Sequence, residues 1–311
     1  MAGSSKKAIY AALFGNALIA VTKFAAASYT GSAAMMSEGI HSLVDTGNQV
    51  LLLYGIKRAS RPASAEFPFG HGKEIYFWSF VVAMLIFALG GTVSIYKGWQ
   101  HLAHPAEISS LTINYVVLGL ALVFEGAALW VAFKEFNRSR GSRSIIEAIR
   151  RGKDPTLFVV VFEDSAALLG LLIALVGLIL YQLTGNLIFD GLASILIGVV
   201  LILTAIALAI ESKNLLIGES ADPRIVAEIH ETVAADSSVL SVNEVATLHM
   251  GPEFIVATLS IDFVDSMSAE ELEATVTQLN GRIKAIDNRL QRVFIEAERK
   301  EDHNSQNHRS E

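Results

Sequence analysis

Apolar residues gather into long runs over the N-terminal two-thirds of the chain, at about 8–28, 32–56, 75–96, 111–133, 157–182 and 187–210. A helix rises about 1.5 Å per residue and a bilayer core is about 30 Å thick, so each run can cross a membrane. The pattern predicts six spanning helices. It changes at Glu211, and from Ala221 to Glu298 apolar positions return at the shorter periods of a soluble fold. Ile225, Val226, Ile229 and Val233 share one face of a helix over 223–235. Residues 239–249 and 253–263 read as two strands joined at Gly251-Pro252. Ser268, followed three residues later by Glu271, opens a second helix that runs to about Asp287, and 290–297 reads as a third strand. The order αββαβ predicts a compact α+β module with its helices on one face of a sheet.

Polar residues inside the apolar runs carry the candidate chemistry. The second run holds Glu38, His41, Asp45 and Asn48, at steps of three, four and three, so all line one narrow stripe of a helix. Ionisable groups at membrane depth are costly and by default mark a substrate or ion path. A His and an Asp four apart on one face have metal-ligand spacing. The competing reading is a helix end whose polar groups satisfy their neighbours. The fifth run holds Glu163 and Asp164 among valines and leucines. Adjacent helical residues point about 100° apart, so both cannot face one ion equally. Asp164 is the expected ligand, and Glu163 supports it or contacts another helix. On the first run Lys23 is expected to snorkel toward an interface. Glu125 lies near the middle of the fourth, placed to tune or relay protons, and Asp190 is expected to cap the sixth. His101 and His104 flank the outer end of the third and are expected in solvent.

Composition supports this picture, and charge orients it. Of 311 residues, 52% are hydrophobic and 18% charged, as in a membrane protein with a polar appendage. With no cysteine, disulfides and thiolate metal sites are excluded, and a formal net charge of −7 argues against a nucleic-acid partner. Lys6, Lys7, Lys57, Arg58, Arg61 and Lys73 fall in loops on one side. The connection between the fourth and fifth runs adds Lys134, Arg138, Arg140, Arg143, Arg150, Arg151 and Lys153 to that side. The opposite loops hold Lys97 alone. The positive-inside rule then places both termini in the cytoplasm. No cleavable signal peptide is evident, so the first run is expected to remain as a span. The expected domains are a six-helix transmembrane transport domain over 1–212, a cytoplasmic C-terminal α+β domain over 213–298 and a disordered tail over 299–311.

Together these residues resemble the cation diffusion facilitator family. The family pattern is His or Asp, three residues, then Asp in span two, repeated in span five. Here the first half reads His41-x-x-x-Asp45 in full, and the second reads Val160-x-x-x-Asp164, with an apolar residue at one ligand position. The stretch from Gly31 to Asp45, the segment Phe69-Gly-His-Gly-Lys73, the six spans and the αββαβ domain also match, so the likeness covers nearly the whole chain. Segments 38–49, 125–129 and 163–170 are most similar to the zinc transporter nine branch, which also lacks the span-five His. The resemblance implies an integral membrane α-helical protein, with six transmembrane helices followed by a cytoplasmic α+β domain of ferredoxin-like type. It implies a homodimeric secondary transporter in the cell's inner (plasma) membrane, exporting a divalent cation, zinc first, in exchange for protons. No prosthetic group and no enzymatic activity are expected. His41, Asp45 and Asp164 would hold the metal, with water, Asn48, Glu163 or Glu38 at the fourth position. A second family site would fall in the loop between spans two and three at His71. Its other ligand positions lie near Ser64 and Phe67, leaving Glu66 to assist. In the soluble domain, strand positions where relatives often have His are Thr258, Ser260 and Ile295, so no metal is expected there.

Two rivals remain in view. Manganese, iron or cobalt would use the same groups, because carboxylate-rich sites discriminate poorly. A membrane metal sensor would keep the stripe and move nothing. An intramembrane hydrolase is disfavoured, since neither His-Glu-x-x-His nor Gly-x-Ser-x-Gly occurs.

Overall fold

The structure, a computed structural model, describes residues 2–140 and 155–307. Arg143, Arg150, Arg151 and Lys153, which contribute to the loop-charge asymmetry, lie outside the described residues, as does the end of the tail from 308 onward. The chain divides into two compact units, Met1–Lys57 with Ile75–Lys213, and Arg58–Glu74 with Asn214–Glu311.

The first unit is built from long helices: α1 Ala2–Thr30, α2 Ala33–Ala59, α3 Glu74–Ala103, α4 Leu111–Arg140, α5 Pro155–Thr184 and α6 Ile188–Ile217. Among the described residues, the helices long and apolar enough to cross a membrane are α3, α4, α5 and α6. Helix α2 is 27 residues long, but its polar stripe lowers its hydropathy. The helices outlast the apolar runs that announce them. Helix α3 continues past Tyr96 because its last turns are amphipathic, burying Gly98 and His101 while Trp99 faces out.

Outward-facing side chains are large and apolar, among them Leu18, Val21, Val123, Trp130, Val176 and Leu203. Lys23, Glu38, His41, Asn48, Glu163 and Asp190 are buried. This inversion suits a bundle whose surroundings are lipid, where polar groups must find partners inside.

Lipid offers little hydrophobic drive between helices, so close backbone approach does the packing. Helix α3 takes a π turn over Ile86–Gly91 and meets α6 through glycines seven apart on each helix. A Cβ on Gly98 would come within 2.6 Å of the Gly191 carbonyl oxygen, and one on Gly198 within 2.7 Å of that of Gly91.

The second unit holds α7 Pro223–Ala234, β1 Val239–Gly251, β2 Phe254–Phe263, α8 Ala269–Ile286 and β3 Leu290–Ala297. The sheet order is β1-β2-β3, with β1 antiparallel and β3 parallel to the central β2. Ile225, Ile229 and Val233 of α7 and Leu279 and Ile283 of α8 pack against Ile255, Ala257, Leu259 and Ile261 of β2. Ser268 and Glu271 form the reciprocal cap at the start of α8. The loop 58–74 belongs to this unit and not to the helical one, as the expected boundary at 212 had it. Arg58 pairs with Glu74 at 2.8 Å across the loop's ends, and Gly72 lies against Met250 and Gly251, where any Cβ would collide with backbone.

The tail corrects another expectation. Instead of disorder from 299 onward, Lys300–Asn307 form helix α9. Its anchors are polar, which is why a composition argument misses them. The Lys300 N–H donates to Asp262 Oδ2 at 3.1 Å. Ser260 Oγ donates to Glu298 Oε2 at 2.7 Å, and the His303 ring Nδ1 reaches the same oxygen at 2.9 Å. These hydrogen bonds favour the ionised form and hold the Glu298 carboxyl below the usual carboxylate range. The contact is therefore fully present above the ordinary glutamate pKa of about 4.3 and is lost as pH falls through the lowered value. We expect amide protection over 300–307, measured relative to the intrinsic exchange rate at each pH, to fall on acidification through that window, and Glu298→Ala to produce the same loss of protection at neutral pH. Protection unchanged by both would show that Glu298 does not anchor the helix.

Candidate metal site

Helix α2 carries the stripe, and its N-terminus is fixed from α6. Asp190 Oδ1 accepts from Ser32 Oγ at 2.6 Å, and Oδ2 accepts from the Ala33 N–H. A carboxylate there meets the exposed N–H groups and positive dipole end of α2. Asp190 thus caps a different helix from the one expected, while Asn186 Oδ1 accepts from the Ile188 N–H at the start of α6 at 3.0 Å. His101 Nε2 lies 3.6 Å from Asp190 Oδ2, and at 7% exposure His101 is buried beside the cap and not in solvent; His104 is exposed.

From that cap the stripe runs inward. Glu38, His41, Asp45 and Asn48 are all buried. His41 Nε2 stands 3.3 Å from Asp45 Oδ2, an ion-pair distance whose angles do not make a hydrogen bond. Asn48 Nδ2 donates to Glu163 Oε1 at 2.8 Å, tying α2 to α5. Glu38 faces another way. Lys23, expected to snorkel, is instead fully buried, with Nζ 3.1 Å from Glu38 Oε2 and 3.5 Å from Glu125 Oε1. It also donates to Ser42 Oγ at 2.8 Å. Gly170 of α5 leaves the space that Glu38 Oε1 fills, since a Cβ there would overlap that oxygen.

On α5 the two acids divide as their angular separation requires. Glu163 is buried against Asn48, whereas Asp164 and Val160 are half-buried. His41 and Asp45 are brought together, and so are Asn48 and Glu163, but Asp164 is not joined to either pair. Among the described residues no three His, Asp or Glu side chains are gathered closely enough to hold a metal ion. Several buried polar atoms on the stripe nonetheless find no hydrogen-bond partner among the described residues: Glu38 Oε1, both His41 ring nitrogens, Asp45 Oδ1 and Asn48 Oδ1. Orphaned polar atoms this deep are expensive unless something else satisfies them.

In the loop 58–74, His71 lies half-buried with its ring 4.5 Å from that of Phe67, and Glu66 is exposed. Ser64 and Phe67 are used by a tight turn, Ser64 Oγ accepting from the Phe67 N–H at 3.1 Å. Sequence reading missed the Lys23 pairing and the Asp190 cap. The only signal was a lysine deep in an apolar run with no local partner.

A helical bundle that is apolar outside and ionisable inside is a multi-pass membrane protein with an intramembrane polar site. Residues 9–217 match the cation efflux transmembrane domain, and the chain belongs to the cation efflux family. It is 34% identical over 259 residues to the proton-coupled zinc antiporter SLC30A9, mitochondrial, of Mus musculus, covering 83% of this chain and 46% of that protein. The Xenopus laevis protein of the same name is 36% identical over the same shares. Metal tolerance protein C4 of Arabidopsis thaliana is 34% identical over 265 residues, covering 85% of this chain and 58% of that protein. The chain spans about half the length of the curated relatives it matches.

Proposed function

We propose that the chain is a secondary active transporter that exports a divalent cation, zinc first, from the cytoplasm in exchange for protons. The observation that carries this reading is the buried His41–Asp45 pair, whose ring nitrogens and Oδ1 carboxylate oxygen have no hydrogen-bond partner among the described residues, on a helix tied to Glu163 of α5. The zinc antiporter names of the animal relatives agree with it. In this reading α1 and α2 also span the bilayer, giving six spans with both termini cytoplasmic, and the C-terminal αββαβ module is ferredoxin-like. The transporter works as a homodimer in the inner (plasma) membrane. It performs no covalent chemistry and carries no prosthetic group.

His41, Asp45 and Asp164 hold the metal, and Asn48 and Glu163 fix the register between α2 and α5. Glu38 leaves the ligand set, because Lys23 occupies it. An imidazole and two carboxylates bind a borderline ion when deprotonated and release it when protonated. Alternating the site between the two membrane faces then couples the metal and proton gradients. A small relative motion of α2 and α5 that brings Asp164 to the His41–Asp45 pair completes the site.

Downhill zinc, manganese, iron and cobalt fluxes in proteoliposomes holding the full chain test the reading. Zinc flux is expected to be the largest. Tight zinc binding without flux would instead make the protein a sensor.

A further inference from the structure

Lys23, Glu38 and Glu125 come from α1, α2 and α4 and meet inside the bundle. The lysine Nζ contacts both carboxylates and Ser42 Oγ; Lys23 and Glu38 are wholly buried, and Glu125 is 6% exposed. Two carboxylates and one ammonium leave one negative charge in excess. No other cationic side chain among the described residues pairs with either acid. At this depth an uncompensated charge is costly, and one proton on a carboxyl group removes it.

We infer that this trio is a proton-carrying site separate from the metal ligands, holding one exchangeable proton over the fixed ammonium of Lys23. The inference rests on the transport reading above. The charged groups that face Glu125 are Lys23 from α1, Glu38 and Asp45 from α2 and Asp164 from α5. A divalent cation arriving at Asp45 and Asp164 adds positive charge that acts on the trio, and the proton that neutralised the trio then leaves. The O–H bond of one carboxyl group breaks, the proton passes to the water on the open side, and no other bond changes. The two sites are also mechanically joined. Ser42, which accepts from Lys23, is the neighbour of His41 on α2, so a shift of α2 moves both.

The test counts protons released per zinc bound by the full chain, by calorimetry in buffers of differing ionisation enthalpy. Glu125→Gln and Glu38→Gln each leave one ammonium and one carboxylate, a neutral pair that needs no proton. Each variant should bind zinc and release one proton fewer than the wild type, and either alone decides if the other fails to fold. A count equal to the wild type in a folded variant would overturn the inference, since a purely structural ion pair leaves the count unchanged. Loss of zinc binding would overturn it too, by making the acid a metal ligand. A wild-type protein that binds zinc and releases no proton, or binds none, would contradict the transport reading itself.

Discussion

Asp45→Asn and Asp164→Asn are each expected to abolish the proposed zinc transport, lowering it by at least about 100-fold, since changes beyond the ligands alone commonly cost about 10–100-fold in metal affinity. Asparagine keeps the shape of each side chain and removes the charge that a divalent ion requires. Folding should survive, because a neutral amide at membrane depth is cheaper to bury than a carboxylate. Glu163→Gln is the control. A glutamine oxygen still accepts the Asn48 amide, so the bond between α2 and α5 is kept. We expect Glu163→Gln to stay within about tenfold of the wild type, as befits a residue that positions and does not ligate. Zinc flux in proteoliposomes, with elution volume as the check on folding, measures all three. Near-wild-type flux from Asp45→Asn would remove the stripe from the account. An inactive Glu163→Gln beside an active Asp164→Asn would move the ligand one residue, which the 2.8 Å contact between Asn48 and Glu163 makes a concrete alternative.

Val160→His is expected to change selectivity. Val160 precedes Asp164 by one helical turn and, like it, is half-buried, so both fall on the same side of α5. A valine leaves the ion short of one nitrogen and supplies an apolar wall. Such a site holds zinc more weakly, and accepts oxygen-preferring ions more readily, than a complete tetrahedral one. An imidazole there should tighten zinc binding roughly tenfold, about 1.4 kcal/mol, and shift preference away from manganese. Release should slow, because a tighter site holds its ion through more of the cycle. Competition between zinc and manganese in liposomes measures this. Unchanged affinity and selectivity would mean that Val160 does not face the ion.

What the sequence made legible depended on whether the cause was local. The C-terminal αββαβ module was readable almost to the residue because its signals are local: the Ser268–Glu271 cap, the Gly251-Pro252 turn, and the i, i+4 spacing of Ile225, Ile229 and Val233. The polar stripe was legible for the same reason, as four residues on one turn-by-turn line. Pairings across the bundle were not. Lys23 finds Glu125 on another helix about a hundred residues away, and Asp190 caps a helix 157 residues earlier. No periodicity encodes either. The facing glycines of α3 and α6 look ordinary until the backbones are seen to touch. The tail failed differently, since a short polar helix held by Asp262, Glu298 and His303 buries too little apolar surface for a hydropathy pattern to report.

In the proposed transport cycle, metal and proton movements are coupled through the buried groups of α2 and α5. The most direct test is uphill zinc accumulation by proteoliposomes of the full chain under an imposed pH gradient, with zinc equal on both sides. Zinc should accumulate on the more acidic side, a protonophore should abolish the accumulation, and Asp45→Asn should show none. Zinc that equilibrates across the membrane and never concentrates, whatever the pH gradient, would contradict the coupling.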